Sequence, residues 1–304
     1  MKVYGKGNAN VVLGKDGEDD EWLFRVCTRH MSSLRQLNEY TRMNYRFICD
    51  VVVPLAGEAL VCEMKLGTLA YKDVMQFVNV NVKGKEKHVE EDEVIAIRIR
   101  NLSMAEEGKT VYDSHQLKIV VNEENGEVAM ELKPKWIFNP PDLQYCRNCM
   151  LNKYKKRGEK DTKLCFACYK NNCYDWVQTL LQDTKNQLPC QFKDWMVQYF
   201  SPRQDNVLTK VYNIQEQLYD ISPALAQLES ERDVTTELML LMILRDVTVM
   251  IHWQELFPVP TVKIVDLDLK PRDKWRHWRE TAELLDNYHH QHLNDSYNLP
   301  SSSG

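Results

Sequence analysis

The sequence predicts an α+β chain of two lobes. Strand patterns crowd the first 136 residues, helical patterns dominate the remainder, and 304 residues suffice for two lobes of ordinary size. Apolar residues make up 43% and charged residues 27%, an ordinary globular balance that excludes a disordered or collagen-like chain over most of its length.

The strands come first. Residues 2–13 (KVYGKGNANVVL) read as strand, glycine turn, strand. Residues 22–29 (WLFRVCTR) read as the next strand, with Trp22, Phe24 and Val26 alternating against Leu23 and Arg25. The polar GKDGEDD between them is a turn. Residues 34–49 fit a helix or a loop, and the apolar run at 51–64 is interrupted by Pro54. A charged, flexible loop is expected at 82–93. Strands follow at 94–102, 116–122 and 127–136, the last two joined by an ENG turn. Helices are expected at 172–184, 192–200, 206–219 and 235–251. The last is capped by Thr235 or Thr236 and is too apolar all round to lie on a surface. A strand at 262–269 and a helix at about 272–288 complete the pattern. The polar tail 293–304 is expected to be disordered. The lobes are then 1–136, strand-rich, and 137–292, mixed and helix-rich, with a cleft between them as the natural ligand site.

Other classes are excluded early. No stretch approaches 18 uninterrupted apolar residues, so no membrane span is expected, and the N-terminus lacks the apolar core of a secretory signal. Nine cysteines without such a signal point to a reducing compartment, where paired cysteines bind metal or pack. The net charge of −5 gives no reason to expect nucleic acid or an anionic membrane as partner.

Six constellations carry chemistry. Gly5-Lys6-Gly7-Asn8-Ala9-Asn10 sits between two strands, where glycines let a backbone approach phosphate; taken alone, a tight hairpin turn is the plainer explanation. Arg25 on the following strand is a candidate phosphate partner. In Glu131-Leu132-Lys133-Pro134-Lys135-Trp136, a strand would put both lysines on one face, suited to a polyanion or simply to a blunted edge. From 131 to 163 there are nine Lys or Arg and four acids, a basic segment inside an acidic protein. Arg245-Asp246 interrupts LLMILRDVTVMI, as a structural ion pair or as a carboxylate facing a site. Asp266, Asp268 and Lys270 alternate along a strand, as a polar face or as oxygen ligands for Mg²⁺. Lys274 and Trp278 follow Lys270 at helical spacing. Finally, Cys146-x2-Cys149-x15-Cys165-x2-Cys168 has structural zinc spacing, although free cysteines are common core residues.

GKGNAN, ELKPKW, CRNC, LLMILRDVTVMI and DLDLKP, in that order, resemble the inositol-pentakisphosphate 2-kinase family in its short fungal form. The motifs span residues 5 to about 278. The resemblance implies a two-lobed inositol-phosphate kinase fold, distantly protein-kinase-like, with ATP and Mg²⁺ as cofactors and small-molecule partners only. The implied reaction is phosphorylation of the axial 2-hydroxyl of inositol 1,3,4,5,6-pentakisphosphate. Gly5, Gly7, Asn8, Ala9, Asn10, Arg25 and Glu131 would contact the nucleotide. Lys133 would act in catalysis with Asp246 as general base, and Asp266, with Asp268 beside it, would hold Mg²⁺. Lys133, Lys135, Arg147, Lys155, Lys270, Lys274 and Trp278 would bind the inositide. Family members often carry arginine and tyrosine where this chain has Lys274 and Trp278. A monomer, nuclear by family analogy and otherwise cytoplasmic, is expected. A protein kinase is disfavoured by the lack of a DFG motif. The rival class is a non-catalytic inositide-binding or zinc-stapled scaffold, which would have lost Asp246 or Asp266.

Overall fold

Alternating apolar residues in the first hundred positions fold into a five-stranded antiparallel sheet in the computed structural model. The structure describes residues 1–15, 21–80, 92–102, 108–158, 160–169, 173–184, 187–201 and 204–292. Most of the expected GKDGEDD turn, the charged loop and the C-terminal tail lie outside them. The chain divides into two compact units, 1–102 and 103–304.

In the first unit, β1 (Lys2–Lys6), β2 (Asn10–Gly14), β3 (Trp22–Cys27), β4 (Met64–Ala70) and β5 (Glu93–Arg100) pair in the order β1-β2-β3-β5-β4. The segment at 34–49 resolves as helix α1 (Leu34–Phe47), because Ser33 caps it by accepting from the Gln36 amide. A π-helical turn at Ile48–Val52 and the short α2 (Val53–Ala56) continue α1, and Gly57, at φ 94°, ends the run. The apolar 51–64 run therefore supplies a helix end and the start of β4. A short α3 (Tyr71–Val74) follows β4. Asn38 fastens α1 to the sheet: its side chain donates to the Glu93 carbonyl and accepts from the Ile95 amide. Val11, Leu13, Phe24, Val26, Leu37 and Val94 fill the core between them.

The second unit is built on another antiparallel sheet, with β6 (Lys109–Asp113), β7 (Leu117–Val121), β8 (Val128–Leu132), β9 (Thr248–Gln254) and β10 (Phe257–Val265) in the order β10-β9-β8-β7-β6. Its strands come from both sides of residue 136, so strand-rich and helix-rich sequence meet in one sheet. The helices are α4 (Arg147–Tyr154), α5 (Lys160–Lys163), α6 (Cys173–Asp183), α7 (Cys190–Tyr199), α8 (Val207–Ile221), α9 (Thr236–Leu244) and α10 (Trp275–Gln291). Trp176, Phe192, Phe200 and Trp253 are its largest buried rings outside α10.

Three sequence expectations change here. The expected helix at 235–251 stops at Leu244 and resumes as β9. Thr235 caps α9 and every side chain from Leu238 to Leu244 is buried, but the β-branched Val247-Thr248-Val249 run favours extended backbone and pairs with β8 and β10. The ELKPKW strand ends at Leu132: Pro134 has no amide to extend the ladder, and Lys135 adopts φ 58°, so Lys133 and Lys135 do not share a strand face. The strand expected through 269 ends at Val265, where Asp266 turns the chain at φ 64°. Asp266, Asp268 and Lys270 therefore do not alternate along a strand. Lys270 also precedes α10 and its leading 3₁₀ turn at Arg272–Lys274, so the helical spacing to Lys274 does not apply.

Among the described residues no helix is long and apolar enough to cross a membrane. Asn206 caps α8 by accepting from the Leu208 and Thr209 amides, and it is buried. Asn206→Ala should lower unfolding stability by about 1–2 kcal/mol, read as a lower denaturant midpoint with an unchanged slope.

Candidate active site

Sheet topology gathers the site. β8 runs antiparallel to β7 and β9, and β9 antiparallel to β10. The end of β8, the start of β9, the end of β10 and the start of β7 therefore meet at one edge of the second unit. That edge carries Lys133–Lys135, Arg245-Asp246, Asp266–Lys270 and His115-Gln116, four segments far apart in sequence.

Asp246 is the electrostatic centre. Its carboxylate is 3.1 Å from the Arg245 guanidinium, 3.1 Å from the Lys270 ammonium and 3.8 Å from the Lys135 ammonium. Burial alone would raise its pKa. Arg245 and Lys270, then Lys135, outweigh that and hold the carboxyl well below the usual carboxylate range. Burial pushes the Lys135 ammonium the other way; Asp246 opposes that fall, while Arg245, Lys133 and Lys270 add to it. Asp266 sits beside this cluster on the adjoining turn, its carboxylate accepting from the Thr248 hydroxyl at 2.8 Å.

Beside Asp246 opens a cleft of about 500 Å³. Five Lys or Arg side chains line it (Lys135, Arg147, Lys155, Arg157 and Arg245) against two carboxylates, Asp246 and Glu280. Helix α4 forms one wall and α10 another. The Arg147 guanidinium stacks 4.6 Å from the Trp136 ring centre, and its buried Nη1 has no hydrogen-bond partner among the described residues. A buried guanidinium nitrogen without a partner, on a side chain that lines a polar cleft, is a ready hydrogen-bond donor to an anion. Arg157 is aimed by Asn152, whose side-chain oxygen accepts from it at 2.8 Å. His115 is held neutral-leaning, first by burial and then by Arg157 and Lys135.

Two buried amides build the wall that carries Lys135. Asn148 accepts from the Trp136 amide and donates to the Trp136 carbonyl. Gln215 accepts from the Ile137 and Phe138 amides and donates to the Lys135 carbonyl. Asn148 lies between Cys146 and Cys149 at the start of α4. The Sγ atoms of Cys146, Cys149, Cys165 and Cys168 all lie within 4.8 Å of one another, with 146–165 at 3.6 Å and 149–168 at 3.5 Å. A tetrahedral zinc with Zn–S bonds of ~2.3 Å needs thiolates ~3.8 Å apart, so this donor set fits zinc in number, type and spacing.

The structure brings Lys135, Arg147, Lys155 and Asp246 to the cleft and sets Lys270 against Asp246. Lys133 instead pairs with Glu131 at 2.6 Å in an adjoining groove. Lys274 is exposed on the 3₁₀ turn, Trp278 is only 2% exposed and packs in the core, and Asp268 is 8% exposed. In the first unit, Gly7, Asn8 and Ala9 form the β1–β2 turn, closed by the Gly7 amide donating to the Asn10 carbonyl. A side-chain carbon at Gly5 would meet nothing within 4 Å, so its glycine is not demanded by packing. Arg25 lies in the middle of β3, paired with Val12 and Ile97. Sequence reasoning did not single out Arg157, His115, Asn148 or Gln215. Arg157 was visible only as one charge in a basic run, and Gln215 only as a polar break in the apolar stripe of α8.

The family model described as inositol-pentakisphosphate 2-kinase matches residues 4–198. The chain is 34% identical over 287 residues to the inositol-pentakisphosphate 2-kinase of Saccharomyces cerevisiae, covering 94% of this chain and 96% of the relative. It is 32% identical to that of Candida glabrata, covering 94% and 97%, and 32% identical to that of Eremothecium gossypii, covering 96% and 99%. With a cationic cleft around a half-buried carboxylate, and similarity running along nearly its whole length, the chain belongs to the inositol-pentakisphosphate 2-kinase family.

Proposed function

We propose that this protein transfers the γ-phosphoryl group of ATP to the axial 2-hydroxyl of inositol 1,3,4,5,6-pentakisphosphate, with Asp246 as general base. The observation that carries the reading is one carboxylate ringed by Lys135, Arg245 and Lys270 at the mouth of a cleft rich in cations. Five phosphates at about −1.5 to −2 each give the acceptor a charge of about −7.5 to −10. A site for it needs convergent cations, which the basic 131–163 segment supplies despite the acidic total. Family membership favours the same substrate, since the relatives are named for it.

Phosphoryl transfer asks chiefly for positioning and charge neutralisation. In this reading Arg147, Lys155 and Arg157 grip inositide phosphates, and Asp246 accepts the proton of the attacking 2-hydroxyl. Lys135 and Lys270 face the transferring group. As acceptor phosphates draw these cations toward themselves, Asp246 loses part of the field that depresses it and becomes a better base in the complex. Asp266, with Asp268 two residues on, would hold Mg²⁺, which would neutralise nucleotide phosphate charge. The resemblance alone assigns Gly5–Asn10, Arg25 and Glu131 to the nucleotide and Lys133, Lys274 and Trp278 to the inositide, and the last of these packs in the core rather than opening to a ligand. The two compact units are read as the lobes of a kinase-like fold. A non-catalytic inositide-binding module is disfavoured because Asp246 and Asp266 are both kept at one sheet edge.

Product formation from this pentakisphosphate with ATP and Mg²⁺, resolved by anion exchange, tests the reading. Hexakisphosphate from the wild type is expected; its absence would refute the activity. Asp246→Asn should lower kcat by about 10²–10⁴-fold. It should also tighten inositide binding several-fold by calorimetry, because one negative charge leaves the cleft. Unchanged kcat or weaker binding would count against the base and the electrostatics respectively.

The depressed Asp246 carboxyl sets a direction with pH. Its ion pairs stabilise the fold above the ordinary carboxylate pKa, and that contribution is lost only as pH falls through the lowered folded value. Acid unfolding of Asp246→Asn should accordingly be shallower than that of the wild type below about pH 4.

We further propose that Cys146, Cys149, Cys165 and Cys168 hold a structural zinc ion. Elemental analysis should find about one zinc per chain. Cys149→Ser should lose it and melt at lower temperature, and a zinc-free wild type of normal stability would refute the site.

A further inference from the structure

We infer that Gln215 is a positioning residue for phosphoryl transfer. Its side chain clamps the Lys135 segment to the turn that carries Asp246, and so fixes the gap between the Lys135 ammonium and the Asp246 carboxylate. The inference rests on the reading of Asp246 as the general base.

Gln215 lies in the third turn of α8 and is 0% exposed. Its neighbours on the buried face of that helix, Val211, Ile214 and Leu218, are apolar, so packing alone would be served by leucine or methionine. The amide instead uses its whole capacity. Oε1 accepts from the Ile137 amide at 3.0 Å and the Phe138 amide at 3.1 Å. Nε2 donates to the Lys135 carbonyl at 2.8 Å and the Leu244 carbonyl at 3.3 Å. Two donors and two acceptor sites are all an amide has. Every partner is a backbone group of fixed polarity, so the orientation of the amide is settled by the network.

What is joined matters more than the number of bonds. Residues 135–138 follow β8, whereas Leu244 ends α9, two residues before Asp246. These segments are more than a hundred residues apart in sequence, and this one side chain touches both. Lys135 adopts φ 58°, a left-handed conformation that is unfavourable for a non-glycine residue and persists where its surroundings enforce it. The Lys135 carbonyl is held by Gln215 while its ammonium faces Asp246 at 3.8 Å. Strain at that residue, released, would let the ammonium swing away from the carboxylate.

The test uses the full chain. Gln215→Met keeps length and apolar volume and deletes all four hydrogen bonds. Gln215→Glu keeps the acceptors and deletes the donation to Lys135 and Leu244. Kinetics are read at a temperature where circular dichroism shows each variant folded. Misplacement by about 1 Å costs on the order of 100-fold in rate, so kcat should fall ~100-fold in Gln215→Met while KM for ATP stays within about twofold. In the Asp246→Asn background the same substitution should cost less than about threefold, because the group it positions is already gone. An unchanged kcat in Gln215→Met, or an undiminished loss in the Asp246→Asn background, would overturn the inference and leave Gln215 a packing residue. Normal turnover by Asp246→Asn alone would instead refute the base assignment underneath it. Should neither Gln215 variant fold, hydrogen exchange in the wild type decides. Ile137 and Phe138 amides as protected as those of β8 support the clamp, and exchange at exposed-loop rates overturns it.

Discussion

A chain that leaves a sheet takes its peptide groups with it, and each buried one must find a partner. Residues 133–138 face this constraint directly. Pro134 stops the ladder, Lys135 turns left-handed, and the segment runs into the interior of the second unit with its amides and carbonyls unpaired by strands. Lys133 recovers one bond by donating to the Gln116 carbonyl. Asn148 and Gln215 supply most of the rest from two different helices. The position of Lys135, and with it one wall of the cleft, follows from satisfying that backbone rather than from any charge on the lysine.

Charge then shapes what the backbone has positioned. Three cations around one carboxylate would repel one another without it, and the carboxylate would resist burial without them. The cluster is balanced locally, whereas the cleft beside it is not: Arg147, Lys155 and Arg157 bring positive charge with few acids to answer it. Arg147 is held by stacking on Trp136 rather than by an acid, which leaves its donors for a ligand. A net charge of −5 is thus no guide to the field inside the site.

The cysteine cluster belongs to the same construction. Cys146 and Cys149 flank Asn148 at the start of α4, and Asn148 also approaches the Cys165 Sγ at 3.8 Å. The residue that satisfies Trp136 is therefore set in a helix end beside which four Sγ atoms gather. At the far side, the Tyr145 hydroxyl donates to Asp286 and the Tyr154 and Tyr288 rings meet edge to face, tying α4 to α10. These contacts fix both walls of the cleft without using the lysines and arginines that line it.

The sequence by itself determined the strand-rich start and helix-rich remainder, narrowed the α9 cap to Thr235 or Thr236, and supplied the motifs that carry the family resemblance. It did so because alternation, capping and motif spacing are local properties. It also pointed to Lys135, Arg147, Lys155 and Asp246, which the fold brings to one cleft. It misread the junctions at Leu132, Leu244 and Val265, where apolar runs read as uninterrupted elements although the chain turns. Only the tertiary structure decided those turns. Extended backbone at 248–254 is settled by pairing with β8 and β10, and left-handed Lys135 and Asp266 sit where surroundings override local preference. The same holds for Gln215: a polar residue in an apolar stripe is visible in one dimension, but its four partners, drawn from segments a hundred residues apart, exist only once the sheet has closed.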